Sequence, residues 1–311
     1  MILEQPNETY ALYRIPGLVL TPKKSLLAYY ECRRKKGDWA PIDLKIMRST
    51  DNGKTWHTTL LFPGQGNTLN NPVLIVDGNL LHMLFLRNYK EIFYCRSEDD
   101  GKTFTTPVEI PIPSDRFYNA VAIGPGHGIV HRGRLIVPIW FAHNEEDPKA
   151  HKPSFIQTLY SEDGGASWNL GEVISSLPDP SECALAVTGD DRVLISIRNE
   201  TPCKLRALAI SDTGTHNWQN LHFEPNLPDP CCMGSMTSYA GKVYHINCAN
   251  QADRLDLTIK VSDDLFKTYT AFPVAEIGGY ADIAVNDDAI YVLYESIRTS
   301  DWNGCLHFCA L

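Results

Sequence analysis

Apolar residues fall along this chain in short runs, interrupted by polar segments that carry glycine, proline, asparagine or aspartate. Tyr13–Leu20 and Ser25–Glu31 form one such pair around Thr21-Pro22-Lys23-Lys24. Arg134–Phe141, Phe155–Tyr160, Cys183–Val187, Val193–Ile197, Arg206–Ile210, Lys242–Asn247, Leu257–Val261 and Cys305–Ala310 continue the pattern. Runs of this length, rich in branched and aromatic residues and bounded by turn formers, predict strands. Val73–Val76 and Leu80–Leu86 flank Asp77-Gly78-Asn79, and Ala281–Val285 and Ala289–Tyr294 flank Asn286-Asp287-Asp288, which reads as two hairpins. No useful stretch keeps a helical period, so the expected class is all-β.

One unit organises these strands. Ser49-Thr-Asp-Asn-Gly-Lys-Thr-Trp56 has the form S-x-D-x-G-x-T-W. Gly53 permits a positive φ, and Ser49, Asp51 and Thr55 can bond the amides of a turn. Trp56 is large enough to anchor that turn in a core. The unit recurs at Ser97–Phe104 and Ser161–Trp168, and in degraded form at Ser211–Trp218 and Ser262–Tyr269. Starts about fifty residues apart, with several strands per unit, indicate a β-propeller. Five boxes supply five blades, and the terminal strands close a sixth. The expectation is a six-bladed β-propeller of four-stranded antiparallel sheets, occupying 1–311 as a single domain.

Composition narrows the function classes. A net charge of −9 argues against a nucleic-acid surface. Nine cysteines, irregularly spaced and without a CxxC pair, argue against a zinc site and read as buried free thiols. No run approaches a membrane span, and the first ten residues lack a signal peptide. That points to the cytoplasm, or to a secreted protein whose signal peptide has been removed.

Several polar residues sit at the ends of apolar strands: Arg14, Asp38, Glu182, Arg198, Arg254, Tyr280 and Glu295. In a propeller, one end of each innermost strand faces the central channel, so such residues converge on one pocket. Singly, each reads as a structural ion pair. Together, three arginines with few carboxylates near them in sequence suit a carboxylate ligand, which the guanidinium fork grips bidentately. The segment Cys32–Pro41, with Arg33, Arg34, Lys35, Lys36 and Asp38, reads as a solvated polar loop. Gly124-Pro-Gly-His-Gly-Ile129 lacks the phosphate-loop pattern and reads as a strand end where backbone passes close to something.

These stretches carry a resemblance. Tyr13-Arg-Ile-Pro16, the Asp boxes, Gly124–Ile129, Ser181-Glu-Cys183, Ile197-Arg-Asn199, Arg254–Thr258, Gly279-Tyr-Ala-Asp-Ile283 and Tyr294-Glu295 follow, in order, the pattern of the sialidase (exo-α-neuraminidase) family with Asp-box (BNR) repeats. The chain resembles glycoside hydrolase family 33. The resemblance implies a retaining exo-sialidase acting on terminal α-ketosidically linked sialic acids of glycans, or on a related acid such as Kdn, with no cofactor or metal. A trans-sialidase or a non-catalytic sugar-binding propeller is the alternative. The resemblance implies that Arg14, Arg198 and Arg254 grip the sugar carboxylate and that Glu295 holds Arg14. It implies Tyr280 as nucleophile, Glu182 as its base and Asp38 as general acid/base, with Asp43 as competitor, and a contact from Arg33. Ser181 departs from the family's asparagine, and Trp140-Phe141 stand where some relatives have tyrosines.

The residue types suit that chemistry. The reacting carbon of a sialic acid bears a carboxylate that repels a carboxylate nucleophile. A neutral phenol escapes this repulsion, but its pKa near ~10 requires an adjacent base.

Overall fold

The computed structural model describes residues 1–114, 116–174 and 177–311. They form strands and turns, without a helix, so no helix is long and apolar enough to cross a membrane.

The chain opens on β1 (Ile2–Glu4), which is taken up by the last blade. The first blade is β2 (Leu12–Leu20), β3 (Leu26–Arg33), β4 (Ile42–Ser49) and β5 (His57–Phe62). The second is β6 (Leu69–Asp77), β7 (Leu80–Arg87), β8 (Glu91–Ser97) and β9 (Val108–Ile110). The third is β10 (Ala120–Ile123), β13 (Arg134–Ala142), β14 (Ser154–Ser161) and β15 (Asn169–Leu170). Between β10 and β13 run β11 (Gly126–His127) and β12 (Ile129–His131). The fourth blade is β16 (Cys183–Val187), β17 (Val193–Ile197), β18 (Leu205–Ser211) and β19 (Gln219–Pro228). The fifth is β20 (Ser235–Tyr239), β21 (Lys242–Cys248), β22 (Leu255–Ser262) and β23 (Thr270–Ile277). The sixth is β24 (Ala281–Val285), β25 (Ile290–Glu295) and β26 (Leu306–Ala310), completed by β1, which pairs with β26.

The six-bladed propeller expected from the repeats is therefore present, closed by the terminal strands, with one departure. Two sheets have five strands, because Gly124–Ile129 adds β11 parallel to β6 and leads into β12 beside β13.

Burial follows position within a blade. The inner strands β2 and β3 are buried along almost their whole length, whereas the outer strands β5 and β23 are largely exposed. Inner strands covered on both faces therefore read as continuous apolar runs. The apolar core divides into six clusters, one at each seam between neighbouring blades.

The Asp boxes sit in the turns between third and fourth strands, bonded as their sequence dictates. In the first, Ser49 Oγ accepts the Gly53 amide at 2.9 Å, and Asp51 accepts the Thr55 amide at 2.9 Å and its hydroxyl at 2.6 Å. Gly53 has φ of +79°, and a Cβ there would lie 2.1 Å from Phe308 of the preceding blade. Glycine is needed both for the turn and for the approach of the next seam. The fifth box answers the same constraint differently. Phe266, at φ of 67°, holds the glycine position, donates its amide to Ser262 Oγ at 2.9 Å, and buries its ring in the seam. In the fourth box it is Gly214, one residue earlier, whose amide reaches Ser211 Oγ at 3.0 Å.

Candidate active site

The predicted site residues lie at one end of the central channel. Arg14 is on β2. Glu182 directly precedes β16 and Arg198 directly follows β17. Arg254 precedes β22, Tyr280 precedes β24, and Glu295 ends β25. Antiparallel pairing carries all of them to the same mouth. A cavity of about 590 Å³ opens there, lined by Arg14, Asp38, Glu182, Arg198, Arg254 and Tyr280 among others.

Tyr280 is the centre of this cluster. Its hydroxyl donates to Glu182 Oε1 at 2.5 Å and accepts from Arg198 Nη1 at 2.9 Å. The same Arg198 nitrogen bonds Glu182 Oε2. The Arg14 guanidinium stands 4.5 Å from the Tyr280 ring centroid and that of Arg254 stands 5.2 Å away. Burial pushes the phenol's pKa up, as does the Glu182 charge, and the three arginines only partly offset this. The resting phenol is therefore protonated, and Glu182 is the group placed to take its proton.

Arg14 is held from below. Its Nε lies 3.1 Å from Glu295 Oε1, and that oxygen also accepts the Ile15 amide at 2.8 Å. Ile15 has φ of 56°, a genuine strain for a β-branched residue, at a bulge in the β2–β3 ladder. The bulge lets the strand present both the Arg14 side chain and the Ile15 amide to one carboxylate. Arg254 has no carboxylate partner among the described residues, and its Nη1 and Arg198 Nε are buried without hydrogen-bond partners there. Unspent guanidinium donors beside a cavity make an anion site.

Asp38 and Arg33 depart from the solvated loop read in the sequence. Cys32 and Arg33 close β3 and are fully buried. Arg33 pairs with Glu31 at 2.7 Å, two residues back on the same strand face, and with Asp38 Oδ1 at 2.7 Å. It does not line the cavity, so it reaches the site only through Asp38. Arg14 Nη1 lies 3.8 Å from the same Asp38 oxygen. Burial would raise the Asp38 carboxyl, but Arg33 and Arg14 outweigh it and hold it at about 2. Asp43, the competitor for its role, is buried elsewhere, accepting Tyr10 Oη at 2.8 Å and the Gly64 amide at 2.7 Å.

Apart from Trp140, the ring-lined wall of the cavity was not legible in the sequence. Trp39 and Tyr89 rings lie 4.8 Å apart, and His151 packs 5.3 Å from Tyr89 and 5.4 Å from Trp140. Burial pulls the His151 imidazolium down, leaving a neutral ring. Of the Trp140-Phe141 pair, Trp140 lines the cavity and Phe141 is core. Trp302, in the segment before β26, covers Arg14 at 4.8 Å. The clue for Trp302 was a large aromatic in an otherwise polar run, Arg298–Gly304. His151 carried no signal.

Comparison with known proteins places the chain among those with BNR repeats. The family described as "BNR repeat-like domain" matches residues 58–292, and the "BNR/Asp-box repeat" matches residues 47–58. The chain is 25% identical, over 93% of its length, to a sialidase of Bacteroides fragilis (strain YCH46). It is 26% identical, over 96% of its length, to a sialidase of Micromonospora viridifaciens. It spans 61% and 52% of those relatives' own lengths. Among solved structures, "Hadza microbial sialidase Hz136" shares the fold with a TM-score of 0.81 at 21% identity, over 97% of this chain and 66% of that one. The chain thus belongs to the BNR repeat-like domain family and carries a BNR/Asp-box repeat.

Proposed function

We propose that the chain is a retaining exo-sialidase that removes terminal α-linked sialic acids, or a related 2-keto-3-deoxy sugar acid, from glycans. One observation carries this reading: a buried, protonated phenol bonded at once to a carboxylate and to an arginine, with two more arginines against its ring. A sugar-binding protein has use for the arginines but none for a phenol paired with a base.

In this mechanism Arg14, Arg198 and Arg254 hold the substrate carboxylate beside Tyr280. Glu182 takes the phenol proton as Tyr280 Oη bonds to the anomeric carbon. Asp38, when protonated, gives its proton to the leaving glycosidic oxygen. In free enzyme Asp38 is ionised through its pairing with Arg33 and Arg14. The incoming carboxylate competes for Arg14, which weakens that hold and raises the Asp38 pKa toward the working range. Water, deprotonated by Asp38, then attacks the anomeric carbon. The carbon–phenol bond breaks, and the phenolate recovers its proton from Glu182.

The test is hydrolysis of a fluorogenic sialoside beside its Kdn analogue, with proton NMR of the first free sugar. Two displacements release the α-anomer first. Initial β-anomer would overturn Tyr280 as nucleophile. Transfer of the sugar to an acceptor in place of water would make the chain a transglycosylase.

A further inference from the structure

Gly124–Ile129 and Asp282 have no part in the chemistry above, yet they meet at the centre of the propeller. Asp282 is fully buried and lies two residues beyond Tyr280. Its carboxylate accepts His127 Nδ1 at 2.8 Å, Ser235 Oγ at 2.6 Å, the Leu18 amide at 2.8 Å and the Ile283 amide at 2.9 Å. These donors come from the second, fifth, first and sixth blades.

The glycine segment exists to deliver one of them. Gly126 has φ of +91°, and a Cβ there would stand 3.1 Å from Met233, 3.4 Å from Ser235 Oγ and 3.5 Å from Asp282. Its carbonyl accepts the Tyr29 hydroxyl at 3.0 Å. The backbone thus runs against the carboxylate, and the next residue, His127, turns its ring onto it. Burial disfavours the His127 imidazolium, but Asp282 outweighs that and raises its pKa.

We propose that Asp282 and His127 are a positioning pair that fixes β24, the strand directly after Tyr280, and so sets the reach of the Tyr280 hydroxyl to Glu182 and Arg198. This rests on the reading of Tyr280 as nucleophile. Neither residue lines the catalytic cavity. Tyr280 and Glu182 stand on the sixth and fourth blades, which share no seam, so the 2.5 Å bond between them depends on how each strand is held at the axis. Three donors from three other blades, Leu18, His127 and Ser235, locate Asp282 in three dimensions. Burying an ion pair costs several kcal/mol before its partners offset it, and apolar side chains would close the channel without that cost. What a charged hub adds is a defined position.

The experiment compares Asp282→Asn and Ser235→Ala with wild type on a fluorogenic sialoside. Asp282→Asn keeps the volume and removes the charge. A displacement of about 1 Å at the reacting atoms costs about 100-fold, so kcat should fall about 100-fold while KM and the affinity for a non-hydrolysed sugar acid stay within about threefold. Trapping of Tyr280 by a fluorinated sialosyl fluoride should slow in proportion. Ser235→Ala removes one of the four bonds and should move the same readouts less; if Asp282→Asn does not fold, it decides the matter. Folded variants with a lowered Tm but wild-type kcat and trapping rate would make the pair a staple of the fold only and overturn the proposal. A wild type inert on every sialoside would remove the reading of Tyr280, and this inference with it.

Discussion

The Asp boxes and the channel mouth are both hydrogen-bonded polar clusters, built by opposite means. A box closes on itself: Ser161, Asp163, Gly165 and Ser167 satisfy one another within eight consecutive residues. The mouth is assembled from afar, with Arg14 bonded to Glu295 across 281 residues and Tyr280 to Glu182 across 98. Local bonding gives a turn that tolerates change in its neighbours. Long-range bonding gathers charges from distant segments and leaves Arg254 Nη1 and Arg198 Nε without partners among the described residues, which is what a buried anion site requires.

This contrast should appear in mutants as a division between turnover and stability. At the mouth, Tyr280→Phe removes the attacking oxygen and keeps the ring, so turnover should drop by more than about 1,000-fold while the sugar acid still binds. Glu182→Gln should approach it, with a loss of about 100- to 10,000-fold, because the phenol then lacks its base. Detectable retention of wild-type kcat in either variant would break the assignment of the mouth.

Asp38→Ala should slow natural glycosides by about 100-fold or more and spare aryl glycosides, whose phenolate departs without protonation. Equal losses on both would remove Asp38 as the acid. Arg198→Lys keeps charge and loses the fork, so KM should rise about tenfold or more in a folded protein. An unchanged KM would detach Arg198 from the carboxylate.

The box prediction is the smallest in activity. Asp163 has its carboxyl held down at about 2, chiefly by the Ser167 hydroxyl and amide. A depressed folded value contributes stability above the unfolded value of about 3.9 and loses it as pH falls through the folded one. Asp163→Ala should therefore lower Tm at pH 7 with kcat/KM unchanged, and the gap in Tm should shrink between about pH 4 and pH 2. A gap independent of pH would show that the carboxylate's bonds are not what the box contributes.

The same contrast decides what could be read from the sequence. Boxes were legible because their physics is local, and their spacing carried the blade count with it. The arginines, Glu182 and Tyr280 were legible as strand-end polar residues and through family resemblance. Arg33 was misread as solvated, although Glu31 two residues earlier, on the same strand face, was the signal of a buried pair. The ring wall of Trp39, Tyr89 and His151 has no such signal, since each residue meets the others only after the first three blades are in register. The extra strand at Gly126–His127 was foreseen only as a close backbone approach, because it pairs with Val73 and Leu74 of another blade and its histidine meets Asp282 far along the chain.

The pairing of β1 with β26 makes the order of assembly matter. Contacts between the two ends of a chain are the slowest to form, since the whole loop between them must be ordered first. Arg14 meets Glu295 only when the first and last blades meet, so the anion clamp is among the last things the folding chain completes. A nascent or truncated chain can hold intact Asp boxes and several finished blades and still have no active centre. Recovered activity during refolding therefore reports the joining of the chain's two ends, not the growth of β-structure.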